Sequence, residues 1–141
     1  MTSPSWIIDK SALARLATSD DAEEWISRIQ RGLVEVATVT VLEVGYLAQT
    51  ASDWTDRIEQ PPIALMPVAT LTPTIEQRAV AVQGLLARRG HHRAPSVPDL
   101  LIAAIAEADD LIVLHLDKDF DLIADVTGQR VERLRVSSRT A

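Results

Sequence analysis

The 141-residue chain is long enough to bury a sizeable core in one domain, and its 47% apolar and 24% charged residues exclude an intrinsically disordered chain. It holds no cysteine, which excludes disulfides, thiolate nucleophiles and zinc–thiolate sites and fits a reducing compartment, the cytoplasm. Twenty acidic and 14 basic residues give a net charge of −6, the wrong sign for a module that grips nucleic acid by charge alone, though not for one whose carboxylates carry divalent cations.

No apolar run approaches the roughly 20 residues that a membrane helix requires, so no membrane association is expected. The opening segment MTSPSWIIDK lacks the basic and long apolar regions of a signal peptide. Trp6, Ile7 and Ile8 form a short buried-strand signal ending at Asp9, and residues 11–17 read as a helix. Ala22, Trp25, Ile26 and Ile29 share one face of a second helix, stopped by Gly32. Residues 34–39 have strand composition, and residues 40–51 turn helical, with Val44, Leu47, Ala48 and Ala51 on a common face. Residues 52–62 are polar, end in Pro61-Pro62, and read as a loop or the end of that helix.

Residues 63–68 suit a short strand that Pro67 assigns to a sheet edge. Thr74 with Gln77 makes a capping box for a helix reaching residue 89, with Ile75, Ala79, Val82 and Leu86 as its buried stripe and Gly90 as its stop. After a loop over 91–95, Ser96 reads as the next N-cap, with Pro98 and Asp99 in the first turn and Leu101, Ile102, Ile105 and Ala108 beyond. Residues 111–116 are the clearest buried strand and end at Asp117. A helix over 120–126, a turn at Gly128, a strand over 131–136 and a frayed tail over 137–141 complete the chain.

Strands alternating with helices predict an α/β fold, a three-layer α/β/α sandwich around a central, mainly parallel sheet, as a single domain over residues 1–141. In such sheets ligands bind beyond the carboxyl ends of the strands. Asp9 and Asp117 each follow an apolar strand run, Glu43 lies one turn into the element after the third run, and Asp99 opens a helix. Four acids distant in sequence therefore fall at element boundaries. Crowded carboxylates repel, and a hard divalent cation relieves that repulsion while activating water and neutralising a phosphodiester. On pattern alone each acid also has a structural reading as a helix cap or a solvated charge, most strongly Asp119 and Asp121 in DKDFD.

The segments WIIDKSALARL, VTVLEVGYLA, VPDLLIAAIAE and LIVLHLDKDFDLIADVTG resemble, in order, the four acidic motifs of PIN domains, and in particular those of VapC toxins from bacterial toxin–antitoxin pairs. The resemblance runs from Trp6 to about Val136, and its most specific part is PDLLIAA followed by the strand and H-x-D-x-D-F. It implies a PIN-like sandwich and a toxic, metal-dependent endoribonuclease that hydrolyses RNA. By the same resemblance Asp9 and Asp99 are the principal ligands of Mg²⁺, with Mn²⁺ as the alternative ion. Glu43 and Asp117 assist them as catalytic and metal-binding acids. Ser11, Thr40 and Asp119 have supporting roles, and the pattern leaves open which of Asp117 and Asp119 meets the metal. The partners implied are an RNA substrate, tRNA or rRNA, a cognate VapB-type antitoxin and a second copy in a homodimer.

Other residues carry less. His91, His92 and Arg93 read as a solvated loop before RNA contacts, and Lys10, Arg15 and Lys118, which flank the acids, as surface charges before groups that steer phosphate. His115 reads as a hydrogen-bonded structural histidine, and Trp25 as core or partner packing. The apolar faces of the helices over 11–31 and 41–51 are candidate antitoxin or dimer surfaces. A DNA or flap nuclease lacks its basic arm here, and a receiver domain lacks its late lysine. A PIN-like scaffold without activity is opposed by four intact acidic motifs.

Overall fold

The computed structural model describes residues 4–137, so the tail expected at 137–141 lies outside the described residues from position 138 onward. Five strands, β1 (Trp6–Ile8), β2 (Val34–Ala37), β3 (Val68–Ala69), β4 (Ile112–His115) and β5 (Val131–Arg133), form one parallel sheet in the order β3-β2-β1-β4-β5. Every pairing is parallel, and Ile8 lies level with Val36 on one side and Leu114 on the other. The seven α-helices among the described residues are α1 (Lys10–Arg15), α2 (Ala22–Gln30), α3 (Thr38–Tyr46), α4 (Ala51–Ile58), α5 (Pro73–Arg88), α6 (Val97–Asp109) and α7 (Asp119–Thr127).

Strand periodicity divides the core in two. Trp6, Ile8, Val34, Val36 and Leu114 face α1 and α2 and pack with Ala12, Trp25 and Ile29. Ile7 and Val113 face the other way, onto Ile75, Ala79, Val82 and Leu86 of α5 and the apolar residues of α6 and α7. The result is the expected three-layer sandwich, and the continuous WII and IVLH runs are what a parallel sheet covered on both faces requires. Trp25 is core: its ring meets Trp6 edge-on at 5.1 Å, and the Arg28 guanidinium lies 4.4 Å and 4.7 Å from the Trp25 and Trp6 ring centroids. α6 buries Leu100 and the whole run from Ile102 to Ala106, as a helix wedged between its neighbours and the sheet must.

Several boundaries differ from the sequence expectations, each for a local reason. α3 starts at Thr38, two residues early, directly after a four-residue strand, and ends at Tyr46. Much of the segment over 52–62, expected as a loop or the end of the preceding helix, is the separate helix α4, started by Thr50, whose hydroxyl accepts the Asp53 N–H at 3.0 Å. α4 buries no residue, and its few apolar positions, Ala51, Trp54 and Ile58, stand among polar ones that hide the helix. It lies so close to α3 that a Cβ on Gly45 would stand 2.7 Å from Nε1 of the half-exposed Trp54. The expected strand over 63–68 is a 3₁₀ turn (Ile63–Leu65) followed by β3, a two-residue edge strand just beyond Pro67. The last strand stops at Arg133.

The cap of α5 is also displaced, to Thr72 from Thr74. Pro73 occupies the first turn, and the Thr72 hydroxyl accepts the Ile75 N–H at 3.2 Å. Thr72→Ala is expected to cost about 1 kcal/mol, the usual value of an N-cap. Thr74→Ala should stay within about 0.5 kcal/mol, as an exposed substitution does. Urea denaturation of both variants checks this, and equal losses would return the cap to Thr74.

Candidate active site

The chain leaves β1 toward β2 and β3 on one side of the sheet, and later fills the other side with β4 and β5. β1 and β4 are therefore adjacent strands whose connections depart in opposite directions, the place where α/β sheets open a crevice at their carboxyl edge. A cavity of about 270 Å³ lies there, lined by Asp9, Glu43, Asp99, Asp117 and Asp119 with Lys10, Ser11 and Ser96 among its other walls.

Each acid reaches the cavity for a local reason. Asp9 follows β1 and caps α1: its extended backbone (φ −93°, ψ 172°) lets Oδ1 accept the Ala12 N–H at 3.0 Å. The Ser11 hydroxyl donates to the same carboxylate at 2.8 Å and accepts the Leu116 N–H at 2.9 Å, tying the end of β1 to the end of β4. Asp99 completes a capping box on α6, its Oδ2 accepting the Ser96 N–H at 3.3 Å while the Ser96 hydroxyl accepts the Asp99 N–H at 3.2 Å. Ser96 is thus the N-cap that the sequence indicates. Asp117 stands two residues past β4, and its Oδ1 accepts the Asp119 N–H at 2.9 Å as α7 begins.

The acids are not equivalent. One carboxylate oxygen from each of Asp99, Asp117 and Asp119 lies within 4.8 Å of the other two. Asp117 and Asp119 thus approach Asp99 together. Asp9 and Glu43 line the same cavity outside that triad, and Glu43 is paired with the Lys10 ammonium at 3.4 Å. Thr40 does not reach the cavity wall: it is fully buried in α3, and its hydroxyl has no partner among the described residues. Lys10 is exposed, as a surface charge is, and it also lines the wall. Its pairing with Glu43 spans 33 positions and leaves no trace in local pattern.

Burial sets the electrostatics. Desolvation pushes Asp99 up to about 6, the Ser96 N–H pulls it back, and the charges of Asp117 and Asp9 push further up. Asp9 is likewise raised by burial, against the Ala12 N–H and the Ser11 hydroxyl. Asp119 is raised by desolvation and then by Asp117. Desolvation lowers the His115 imidazole in turn. A cluster of carboxylates whose ionisation is opposed by burial and by mutual charge is one that a hard cation stabilises.

A family model described as PIN domain matches residues 6–126. The chain is 58% identical over 134 residues to Ribonuclease VapC2 of Mycobacterium tuberculosis (strain CDC 1551 / Oshkosh), covering 95% of each. It is 37% identical over 124 residues to Ribonuclease VapC51 of Mycobacterium tuberculosis (strain ATCC 25618 / H37Rv), covering 88% of each. Among solved structures, DNA-bound VapBC from Salmonella typhimurium superposes with a TM-score of 0.73 at 18% identity, over 93% of this chain and 98% of that one. VapBC-5 from Mycobacterium tuberculosis gives 0.65 at 24% identity, over 95% and 100%. At these identities the superpositions speak for the fold.

The raised Asp99 has a consequence for stability. Its ordinary value is 3.8 and its folded value about 6, so its favourable contribution is complete below about pH 4 and is lost as the pH rises through 6. The loss amounts to at most about 3 kcal/mol. Asp99→Asn removes this titration. In chelator, its stability relative to the parent chain is expected to be higher at pH 7.5 than at pH 4.5, as read by urea denaturation. A pH-independent difference would refute the buried-carboxylate account.

Proposed function

The chain belongs to the PIN-domain family, and from that premise we propose that it is the ribonuclease toxin of a VapBC-type pair, the whole chain forming one nuclease domain that hydrolyses RNA phosphodiesters in the acidic cavity. The observation that carries this reading is the triad Asp99, Asp117 and Asp119 at the carboxyl edge of the sheet, in a chain more than half identical to a protein named as a ribonuclease.

The residues fit a hard divalent cation. Their donors are carboxylate oxygens, close together and partly desolvated, a set that suits Mg²⁺, with Mn²⁺ as the alternative. Asp99, Asp117 and Asp119 would hold the ion, with Asp9 and Glu43 completing the acidic wall. A bound ion supplies charge neutralisation at the phosphate and a lowered water pKa. The protein side is positional. Asp9 and Asp99 are held by helix-capping hydrogen bonds, Ser11 fixes Asp9 against β4, and Lys10, a basic residue of the wall, restrains Glu43 and offers an ammonium to an arriving phosphate. The substrate class is tRNA or rRNA, and the place of action is the cytoplasm. No helix among the described residues is long and apolar enough to cross a membrane.

Asp99→Asn and Asp117→Asn are each expected to fold and to lose more than about 100-fold in RNA cleavage, beyond what removal of an outer-shell partner costs. Chelator should abolish cleavage by the parent chain, and Mg²⁺ or Mn²⁺ should restore it. Wild-type rates in a folded Asp99→Asn protein would end the proposal.

The antitoxin and homodimer proposals draw on apolar surface. A groove of about 400 Å³ between α1, α2 and the Pro61-Pro62 segment is lined by Leu13, Leu16, Ile26, Ile29 and Leu65, and Leu42, Tyr46 and Leu47 are exposed on and just after α3. The groove suits an apolar segment of a VapB-type antitoxin, and the α3 face suits a second copy. Ile26→Glu is expected to weaken antitoxin binding at least about tenfold, as loss of a buried anchor does, while leaving RNA cleavage intact. Unchanged binding in a calorimetric titration would move the antitoxin elsewhere.

A further inference from the structure

We propose that His115 is a positioning residue for the carboxylate triad: its Nδ1 accepts the Asp117 N–H and so sets the turn that carries Asp117 and Asp119 to Asp99. The inference rests on reading the triad as a cation site.

His115 ends β4 with 1% of its surface exposed, its ring 5.3 Å from Phe120 and inclined at 39°, so packing restrains the rotamer. Nδ1 receives the Asp117 N–H at 3.2 Å. Asp117 Oδ1 receives the Asp119 N–H at 2.9 Å, and the Ser11 hydroxyl receives the Leu116 N–H at 2.9 Å. The N–H groups of 116, 117 and 119 are thus each tied to a side chain, and His115 holds the middle one. Because Nδ1 accepts, the ring proton sits on Nε2. That buried N–H has no partner among the described residues, since the nearest carboxylate oxygen, on Asp121, is 3.9 Å away. A strand position kept only for packing would hold an apolar residue, as Ile112, Val113 and Leu114 do, and would avoid this orphaned group. The imidazole is a poor core residue and a good acceptor.

The test is Mn²⁺ binding to the full chain, without RNA, followed by electron paramagnetic resonance. Leucine fills the site without an acceptor, whereas asparagine offers a carbonyl to the N–H two residues on. His115→Leu is expected to lose about 10- to 100-fold in Mn²⁺ affinity, the usual effect of an outer-shell residue, with kcat recovering at saturating Mn²⁺. His115→Asn should stay within about threefold of the parent chain, on the same outer-shell scale. Nitrogen-15 spectra of the unaltered chain should show the proton on Nε2. Undiminished binding by folded His115→Leu, loss of binding in folded His115→Asn, or a proton on Nδ1 each overturns the proposal. If His115→Leu does not fold, His115→Asn and the tautomer decide. Failure of the parent chain to bind Mn²⁺ removes the cation-site reading itself, whereas normal parent binding with an unaffected His115→Leu removes this inference alone.

Discussion

The cost of taking carboxylates out of water, increased by their mutual repulsion, is the constraint around which this site is arranged. Three helix starts answer it. Asp9 caps α1, Asp99 lies in the first turn of α6, and Asp119 and Asp121 lie in the first turn of α7. Each helix start brings unpaired N–H groups and a partial positive charge to the same sheet edge, worth typically 0.3–1 kcal/mol per acid. The compensation is incomplete, because Asp9, Asp99 and Asp119 all remain harder to ionise than free side chains. The fold thus assembles an anionic site that it only partly neutralises, leaving room for an exogenous positive charge.

The sheet supplies the meeting place. β1 is three residues long and β4 four, too short to define an edge on their own. Their register, Trp6 to Ile112 and Ile8 to Leu114, sets the residues after the two strands side by side. The Ser11 hydroxyl then joins the two ends, acting as donor to Asp9 and acceptor from Leu116. One small side chain couples a helix cap, a strand end and the acid wall. That explains why a serine two residues after the first acid belongs with the site although it carries no charge.

Much of this was legible in the chain because burial and capping leave short-range marks. WII and LIVLHL show strands covered on both faces, and the serine before VPD shows the start of α6. The acids at strand and helix ends followed from the same marks. What stayed hidden depends on contacts made in three dimensions or on elements with little burial. α4 buries nothing, and its polar sequence reads as a loop or as the end of the helix before it. The choice between Asp117 and Asp119 turns on how α7 leaves β4, and the backbone brings both to Asp99. Thr40 is buried in α3 rather than on the cavity wall, a matter of packing that local pattern does not record.

The three indoles are distributed unevenly, with an optical consequence. Trp6 and Trp25 are interlocked in the core at 6% and 1% exposure, while Trp54 is 42% exposed where α4 crosses Gly45 of α3. The native emission is therefore expected to divide between a blue-shifted pair shielded from quenchers and a red-shifted, quenchable reporter on α4. Iodide quenching isolates that reporter, so the separation or covering of α3 and α4 has an intrinsic signal that needs neither label nor substitution.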